Sequence, residues 1–391
     1  MNLDPFLTTL VGSTLVVLVI GMVLKSFKQP HIITYLLAGV IMGPSVLGII
    51  KNQEILHHFS AIGVDLLLFF VGMEILPRKF IANWRISIIG LFLQVFISVA
   101  VVFIVGFFLG WPLSRIVLLG FVISLSSTAV VLTILNDWKI IDTRIGQNAL
   151  GILLAQDLAV VPMLIVISFF SAREQISYAK ITLQCIGMFA IACLVWWVYV
   201  KETIQIPFLK RVKRDHEMQV FLALIVFFGL SFVTSMFQLS TALGAFIGGM
   251  VIGAAKETEW VHKSLEPFKI VFVALFFSSI GLMIDVLFFW NNLLLILFFT
   301  FLVFAINTAA NAVAVRMFFK RWSESIYFGS ILAQIGEFSF LLAAAGYHNE
   351  IITEYSYQFT IAIISLTLLL SPLWINLNKR RFGLENKDLN I

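Results

Sequence analysis

The sequence is poor in charged residues and in cysteine. Asp, Glu, Lys and Arg make up 12% of its 391 residues, about half of the roughly 25% found in soluble domains. The two cysteines, Cys185 and Cys193, lie on one apolar stretch, and we interpret them as packing residues rather than as a disulfide. The low charge excludes a large soluble domain, and the hydrophobic fraction of 60% predicts a protein built from membrane-spanning helices.

Motifs of catalysis and of cofactor binding are also missing. The sequence has no H-E-x-x-H metal motif, and no G-x-G-x-x-G follows a predicted strand. A serine protease within the membrane needs a base beside its serine, but all six histidines lie in or beside predicted loops. A carrier of organic anions needs an embedded Lys or Arg, which the interiors of the predicted spans do not contain. We therefore expect neither an enzyme nor a bound cofactor.

Long apolar segments dominate what the chain does contain. We count thirteen, near 6–24, 32–49, 58–76, 86–110, 115–136, 145–171, 179–200, 217–236, 239–254, 266–284, 292–318, 325–347 and 356–377. If the N-terminus lies outside, the predicted cytoplasmic loops hold nearly all of the 26 lysines and arginines, and the exceptions are Lys51, Arg115, Arg173 and Lys180. The positive-inside rule then predicts thirteen transmembrane helices in the plasma membrane, with the C-terminus in the cytoplasm. The basic loop 210–214 predicts contact with anionic lipid rather than nucleic acid.

An internal repeat relates the two halves of the chain at an offset of about 210 residues. The matched positions are Gly39 with Gly249, Gly43 with Gly253, Ser126 with Gly336 and Pro162 with Pro372. The first predicted span begins outside, whereas the eighth begins inside. Spans 1–6 and 8–13 are therefore predicted to be inverted repeats, a pattern typical of secondary transporters with a site near the membrane midplane.

The fifth and twelfth spans contain polar interruptions. Residues 124–128 read Ser-Leu-Ser-Ser-Thr, and residues 334–339 read Gln-Ile-Gly-Glu-Phe-Ser. Small hydroxyl residues and glycine at corresponding depths favour unwound segments that expose backbone carbonyls to an ion. The alternative is that the serines and the threonine bond back to the preceding helical turn. We predict two discontinuous, crossing helices, with Gln334 and Gly336 at the second break.

Asp157 lies in the middle of the apolar segment 145–171. A carboxylate near the bilayer midplane costs roughly 2.5–3.5 kcal/mol on insertion scales, so we expect it to bind a proton and a monovalent cation. Gln156 precedes it, and Ser126, Ser127 and Thr128 reach a comparable depth from the opposite direction. We predict that these four residues supply neutral oxygen ligands.

Two further acids lie inside predicted spans. We interpret Glu337 as compensating the half-helix dipoles at the breaks, and a second ion site is the alternative. Asp65 lies one third of the way into the third span from outside. It either lines an outer funnel or is hydrogen-bonded between helices.

Several short segments together carry a family resemblance. They are 37–48, 67–74, 125–131, 156–157 with Pro162, and 334–340. As a set they resemble the membrane domain of the monovalent cation:proton antiporter-2 family, and especially its Kef-type potassium/proton members. The match covers residues 1–377.

The resemblance implies a thirteen-helix exchanger domain and a homodimer. A core formed by 86–171 and 292–377 would carry the ion past a dimerisation scaffold formed by 6–76 and 217–284, with 179–200 as the linker. It further implies that Asp157 binds the ion, and that Gln156 before it points to K⁺. Asn307 stands where relatives often have Lys or Arg, and Asp65 replaces an apolar residue. We take both as candidate residues of the ion pathway.

A short cytoplasmic tail, 378–391, follows the last span, where Kef relatives continue into a nucleotide-binding regulatory domain. We expect pH alone to govern the isolated chain, although a separately encoded regulatory subunit could dock on its cytoplasmic loops. Two functions stay open beside electroneutral K⁺/H⁺ antiport. They are an Na⁺/H⁺ antiporter of the same fold and a passive K⁺ channel, since broken helices also form selectivity filters.

Overall fold

The computed structural model describes residues 5–26, 31–48, 53–74, 84–170, 215–254, 259–316 and 319–382, apart from a few single positions, and scattered positions between 182 and 197. The predicted span 179–200 lies largely outside the described residues. The basic loop 210–214 and the end of the tail, 383–391, lie wholly outside them.

Fifteen α-helices make up the described part of the chain, which contains no β-strand. They are α1 (Pro5–Ser26), α2 (His31–Met42), α3 (Gln53–Glu74), α4 (Trp84–Phe108), α5 (Leu113–Ser124), α6 (Thr128–Asp137), α7 (Arg144–Phe169), α8 (His216–Met236), α9 (Thr241–Gly253), α10 (Glu259–Met283), α11 (Val286–Asn291), α12 (Leu293–Arg316), α13 (Trp322–Ile331), α14 (Phe338–His348) and α15 (Glu354–Phe382).

The apolar surroundings explain why the chain is helical. Hydrocarbon offers no hydrogen bonds to the backbone, so each peptide group must be satisfied within its own segment. A polar cap marks the start of α7, where the Thr143 hydroxyl accepts a hydrogen bond from the Gly146 N–H at 3.2 Å. The helix then runs for 26 residues and continues through Pro162. Asp157 therefore lies on an unbroken helix.

Six of the helices are long and apolar enough to cross a membrane, namely α4, α7, α8, α10, α12 and α15. Shorter apolar helices accompany them among the described residues, namely α2, α5, α9 and the Thr14–Ser26 part of α1. The described chain is therefore all-helical with several apolar spans. The total of thirteen spans stays a prediction.

Helix α2 ends earlier than the sequence predicts. The apolar segment 32–49 predicted one span, but α2 has 12 residues and ends at Met42, which gives about 18 Å of helix. Gly43 is followed by Pro44, and the residue before a proline is disfavoured in the α conformation. The Gly-Pro pair therefore ends the helix inside a segment whose composition remains apolar.

The chain divides into two compact units. The first, which we call the site unit, comprises Met1–Lys51, Asn83–Arg173 and Ile280–Ile391. The second unit comprises Asn52–Ala82 and Glu174–Ser279. The site unit contains both segments predicted to form the ion-carrying core, together with α1 and α2. The functional roles of core, linker and dimerisation scaffold stay predictions.

In the second unit, α3 and α9 approach each other through glycines. A Cβ atom added at Gly72 would lie 3.1 Å from the Gly249 Cα atom and closer still to the Phe246 carbonyl oxygen. No larger side chain fits there, as is typical of helix pairs in membranes. The rings of Phe69 and Phe227 meet edge to face at 5.3 Å beside this contact, within the apolar core of the unit.

Within the site unit, α2 and the end of α10 make the same kind of contact. A Cβ atom added at Gly281 would lie 3.0 Å from the Gly39 Cα atom and closer still to the Leu36 carbonyl oxygen. Leu36 and Gly39 precede Phe246 and Gly249 by about 210 positions. The two contacts therefore use residues that the internal repeat matches to each other.

Candidate functional site

Two helix breaks in the site unit pair with each other. The first separates α5, which ends at Ser124, from α6, which begins at Thr128. The second separates α13 from α14 and overlaps the predicted interruption 334–339. Ser126 forms an antiparallel bridge with Ile335, and the Gly336 N–H donates a hydrogen bond to the Leu125 carbonyl at 2.8 Å. The backbone groups freed at one break are thus satisfied partly by the other.

Gly336 makes the close approach of the two breaks possible. A Cβ atom at this position would lie 2.5 Å from the Ser126 carbonyl oxygen and 3.1 Å from the Ser127 nitrogen. Because the atoms it would meet belong to the backbone, they cannot move aside as a flexible side chain could. The structure thus brings together Ser126 and Gly336, which the internal repeat had matched.

Gln156 spans the first break from α7. Its side chain is fully buried; Nε2 donates to the Ser124 carbonyl at 3.2 Å, and Oε1 accepts from the Ser126 N–H at 2.9 Å. One amide therefore satisfies an orphan carbonyl at the end of α5 and an unwound N–H beyond it. An amide oxygen has two lone pairs, so Oε1 retains one acceptor position.

Asp157 lies against the N-terminus of α6. The Thr128 hydroxyl donates to its carboxylate, at 3.1 Å to Oδ2 and 3.3 Å to Oδ1. Thr128 is the first residue of α6, and the amide end of a helix favours a negative charge. Both side chains are half-buried. The carboxylate is therefore partly exposed and is held at the start of α6 by the Thr128 hydroxyl.

Glu337 lies against the same helix end. The Ser127 hydroxyl donates to Glu337 Oε2 at 2.9 Å and accepts from the Val130 N–H at 3.3 Å, so Ser127 also caps α6. Glu337 directly precedes α14. This position fits the predicted compensation of half-helix dipoles, and it leaves a second ion site open.

Asn307 binds the opposite, carbonyl ends of the broken helices. The fully buried side chain donates from Nδ2 to the Ile123 carbonyl at 2.8 Å and to the Ala333 carbonyl at 3.0 Å. Its Oδ1 accepts from Gln94 Nε2 at 3.3 Å. A Lys or Arg here would place a positive charge at two negative helix ends, whereas Asn supplies the N–H groups without a charge.

Sequence reasoning missed several residues that support the breaks. Asn311, one turn after Asn307, donates to the Leu332 carbonyl at 3.4 Å, and the Ser339 hydroxyl donates to the Val122 carbonyl at 2.7 Å. Thr367 accepts from the Ile335 N–H at 3.2 Å. The available signal was polar side chains at one-turn spacing within apolar segments, which marks a face that packs on polar groups.

Gln334 is the least satisfied amide of the site, because both of its polar atoms lack a partner. Its side chain is fully buried, and neither Oε1 nor Nε2 has a hydrogen-bond partner. Leaving a buried polar group unsatisfied costs about 1–3 kcal/mol. In the antiparallel pairing of Ser126 with Ile335, Gln334 stands opposite Ser127, and directly opposite residues share a face.

Asp65 belongs to the second unit. It is hydrogen-bonded to the side chain of Thr241, the first residue of α9. The sequence left two roles open for Asp65, namely lining an outer funnel or being hydrogen-bonded between helices. The structure contains such a hydrogen bond, between α3 and α9. An ion-pathway role for Asp65 stays a prediction.

The charges at the breaks follow a simple arrangement. The Ser127 and Thr128 hydroxyls at the start of α6 meet the two carboxylates, and carbonyls at the helix ends meet neutral amides and hydroxyls. Among the described residues, no three His, Cys, Asp or Glu side chains are grouped as metal ligands. The chemistry available at the breaks is the binding of protons or of cations by single carboxylates with neutral oxygens nearby.

Comparison with known proteins identifies a family. The family described as sodium/hydrogen exchanger, transmembrane, matches residues 13–377. The chain is 35% identical to the iron transporter MagA of Paramagnetospirillum magneticum, over 95% of this chain and 85% of that protein. It is 31% identical to K(+) efflux antiporter 5 of Arabidopsis thaliana, over 93% of this chain and 66% of that protein. The chain thus spans about two thirds of the plant relative's length.

A solved structure shares the fold. The sodium proton antiporter MjNhaP1 from Methanocaldococcus jannaschii, solved at pH 8, superposes with a TM-score of 0.70 over 98% of this chain and 100% of that one. The identity is 16%, so the likeness concerns the fold alone. The resemblance to Kef-type cation:proton antiporters that the sequence predicted is confirmed by the family match and the plant relative. The chain is a multi-pass membrane protein whose described part is all-helical, and it belongs to the transmembrane sodium/hydrogen exchanger family.

Proposed function

We propose that the chain is a secondary antiporter, and not an enzyme, that exchanges a monovalent cation for a proton at Asp157 by alternating access. The observation that carries the proposal is the half-buried Asp157 carboxylate, held at 3.1 Å by the Thr128 hydroxyl beside the paired helix breaks. A proton and a cation compete for this one carboxylate, which couples their movements.

The low dielectric of the membrane supports electroneutral exchange. An ionised Asp157 without a bound ion carries a net negative charge, and moving that charge through hydrocarbon is disfavoured. A bound proton or a bound monovalent cation neutralises it. The two loaded states cross and the empty state does not, which exchanges one cation for one proton.

For the cation we propose K⁺ over Na⁺, with neutral oxygen ligands from Gln156, Ser126, Ser127 and Thr128. The support is the Gln-Asp pair on α7 and the similarity to a plant relative named a K(+) efflux antiporter. An Na⁺/H⁺ antiporter of the same fold is the alternative, which the family's description favours. The relative named an iron transporter adds Fe²⁺ to the ions to be tested.

We also propose thirteen transmembrane helices in inverted repeats, with the N-terminus outside the plasma membrane and the C-terminus in the cytoplasm. The equivalent glycine contacts at Gly72 and Gly281 support the repeat. The pairs α5–α6 and α13–α14 would be the two discontinuous, crossing helices. We expect a homodimer in the lipid bilayer, whose cytoplasmic loops could receive a separately encoded regulatory subunit, and no nucleic-acid partner.

Transport in proteoliposomes tests this function. Purified protein is reconstituted with a pH-sensitive dye inside, and K⁺, Na⁺, Rb⁺, Li⁺ or Fe²⁺ is added outside. We expect the outside cation to drive protons out of the vesicles, with K⁺ most effective. Absence of cation-dependent proton movement with every ion would refute the proposal.

The same vesicles separate an antiporter from a passive K⁺ channel. An antiporter moves protons against their gradient when K⁺ flows down its own gradient. A channel moves protons only after a protonophore is added, because the two fluxes are then coupled solely through the membrane potential. Proton movement that requires the protonophore would assign the chain to the channel class.

A further inference from the structure

We propose that Glu337, Ser127 and Gln334 form a second subsite that binds a proton or a partly dehydrated monovalent cation, beside the Asp157 site. The inference deepens the proposed function and rests on it, because it adds a second loading position to the same pair of helix breaks. It differs from dipole compensation alone, in which Glu337 would stay ionised and would bind nothing.

Neighbouring hydroxyls at the start of α6 hold the two carboxylates. Ser127 donates to Glu337 at 2.9 Å, and Thr128 donates to Asp157 at 3.1 Å. The Cα atoms of consecutive residues are about 3.8 Å apart, so the two carboxylates are held by hydroxyls from adjacent positions of the chain. Each pair offers one carboxylate oxygen and one hydroxyl oxygen, which could form part of the coordination shell of a cation.

Gln334 supplies the observation that points to a ligand. Two other amides at the breaks, Gln156 and Asn307, are engaged on both their oxygen and their nitrogen. Asn311 and Gln94 each donate through their nitrogen, while their oxygens lack a partner. Gln334 is equally buried, yet both of its amide atoms lack a hydrogen-bond partner. The single bridge between Ser126 and Ile335 brings the Gln334 backbone opposite Ser127, and in the proposed subsite the Gln334 oxygen joins the Ser127–Glu337 pair in coordinating a cation.

Exposure is graded across the subsite. Gln334 and Ser127 are fully buried, while Glu337 is half-buried. In the proposed subsite the carboxylate is therefore the more exposed group, and the two neutral groups lie deeper. This order suits a cation that exchanges part of its hydration shell for protein oxygens.

Asp157 is the charged neighbour that matters for titration of Glu337. Helix α14 packs against α5, α7 and α15. The charged residue of α5 is Arg115, near the start of the helix. Helix α7 carries Arg144 at its start in addition to Asp157. The charged residues of α15 lie in its first turn (Glu354) and its last turn (Lys379, Arg380 and Arg381). His348, with Tyr347 before it, ends α14. The two carboxylates at the breaks are therefore expected to load in a coupled manner.

Equilibrium binding of K⁺ to purified protein tests the subsite. Isothermal titration is performed in two buffers of different ionisation enthalpy, so that binding and proton release are measured together. Asp157→Asn is expected to lose exchange but to keep one K⁺ site whose filling releases a proton. The double variant Asp157→Asn with Glu337→Gln is expected to lose that site.

The outcomes distinguish the two proposals. Exchange that survives in Asp157→Asn overturns the proposed function. If exchange is lost and Asp157→Asn binds no K⁺, or if its residual site survives Glu337→Gln, the second subsite is overturned while the proposed function stands.

Gln334→Met provides a test that does not depend on removing a charge. Methionine fills a similar volume and removes the two unsatisfied atoms, so the melting temperature is expected to hold or rise. The K⁺ affinity of the Glu337 subsite is expected to fall about tenfold or more, the range seen when a supporting group of a metal site is removed. Ser98→Ala, which removes a buried and equally unsatisfied hydroxyl on α4, is the matched control and should leave both sites unchanged. Unchanged binding in Gln334→Met would overturn the role of Gln334.

Discussion

Gln156 links the ion site to the shape of the first helix break. Its amide reaches the Ser124 carbonyl and the Ser126 N–H on the two sides of the bend, while the next residue is Asp157. An asparagine is one methylene shorter and cannot keep both bonds without moving the break. The length of this side chain therefore sets the spacing of the oxygens around the cation.

Gln156→Asn is expected to change the K⁺/Na⁺ preference more than the maximal rate. Each hydrogen bond lost costs about 0.5–1.5 kcal/mol, which is enough to alter the geometry of the break without abolishing the fold. The measurement compares the concentration dependence of exchange for the two ions. Gln147→Asn, at an exposed position of the same helix, is the control and should not change it. An unaltered order of preference in Gln156→Asn would make Gln156 a packing residue.

Thr128→Val is expected to raise the cation concentration needed for half-maximal exchange. The substitution keeps the shape of the side chain but removes the hydroxyl that donates to Asp157. Thr128→Ser retains the hydroxyl and should stay close to the wild type. If Val and Ser variants transport alike, the hydroxyl has no part in ion binding.

Single residues differed in how far the sequence could predict them. Asp157 stood out because a carboxylate in an apolar segment is costly. Gln94 and Asn311 were missed because their partners, Asn307 and the Leu332 carbonyl, come from other parts of the chain. Only tertiary packing reveals which buried amides meet an orphan carbonyl.

At the scale of helices, the two breaks act as one element. Four helix ends meet there, and the bridge from Ser126 to Ile335 joins the unwound segments. Carboxylates lie at the amide ends and neutral amides at the carbonyl ends. Hydroxyls, amides and backbone groups hold the half-helices together, and the transported ion would add a positive charge there.

Gly336→Ala is expected to destabilise the protein and to slow exchange. The added methyl group would meet the Ser126 backbone at 2.5 Å, and overpacking of this kind typically costs about 1–3 kcal/mol. Thermal unfolding in detergent measures the loss. Gly229→Ala on α8 is the control, since nothing lies within 4 Å of the new Cβ atom. Equal melting temperatures for the two variants would mean that the breaks are not in close contact.

The ends of helices could be predicted from the sequence where the amino-acid composition changes along the chain, and less well where it stays apolar. Hydroxyl residues and glycine indicated both breaks, because they stand out in apolar surroundings. The end of α2 at Met42 lies inside a continuous apolar run, where only the following Gly43-Pro44 pair signals it. The pairing of one break with the other depends on the fold and was suggested only by the repeat offset.

At the scale of the whole molecule, competition at one carboxylate predicts the response to pH. As the pH falls, protons occupy Asp157 and exclude the cation. The cation concentration for half-maximal exchange should therefore rise as the pH on the loading side falls, while the rate at saturating cation changes less. Exchange measured at several K⁺ concentrations across a pH series checks this. A half-maximal concentration that is independent of pH would contradict competition at a shared site.

The number of membrane spans depends on how the helices of the whole molecule pack together. Six described helices can cross a membrane by length and composition, whereas the positive-inside pattern predicted thirteen spans. The prediction of thirteen spans rests on a count of apolar segments. Several of these segments fold as short or broken helices, such as α2 and the pair α5–α6. Those segments would span the membrane only together with their neighbours, which hydropathy alone does not show.

The central claim is that Asp157 is the carboxylate shared by proton and cation, and one measurement tests it most directly. K⁺-driven proton movement is compared in proteoliposomes that contain equal amounts of wild-type, Asp157→Asn and Asp285→Asn protein. Asp285 caps α11, and asparagine caps a helix equally well, so that control should transport like the wild type. We predict that Asp157→Asn inserts and melts normally but moves no protons in response to K⁺. Exchange at the wild-type rate in Asp157→Asn would contradict the account.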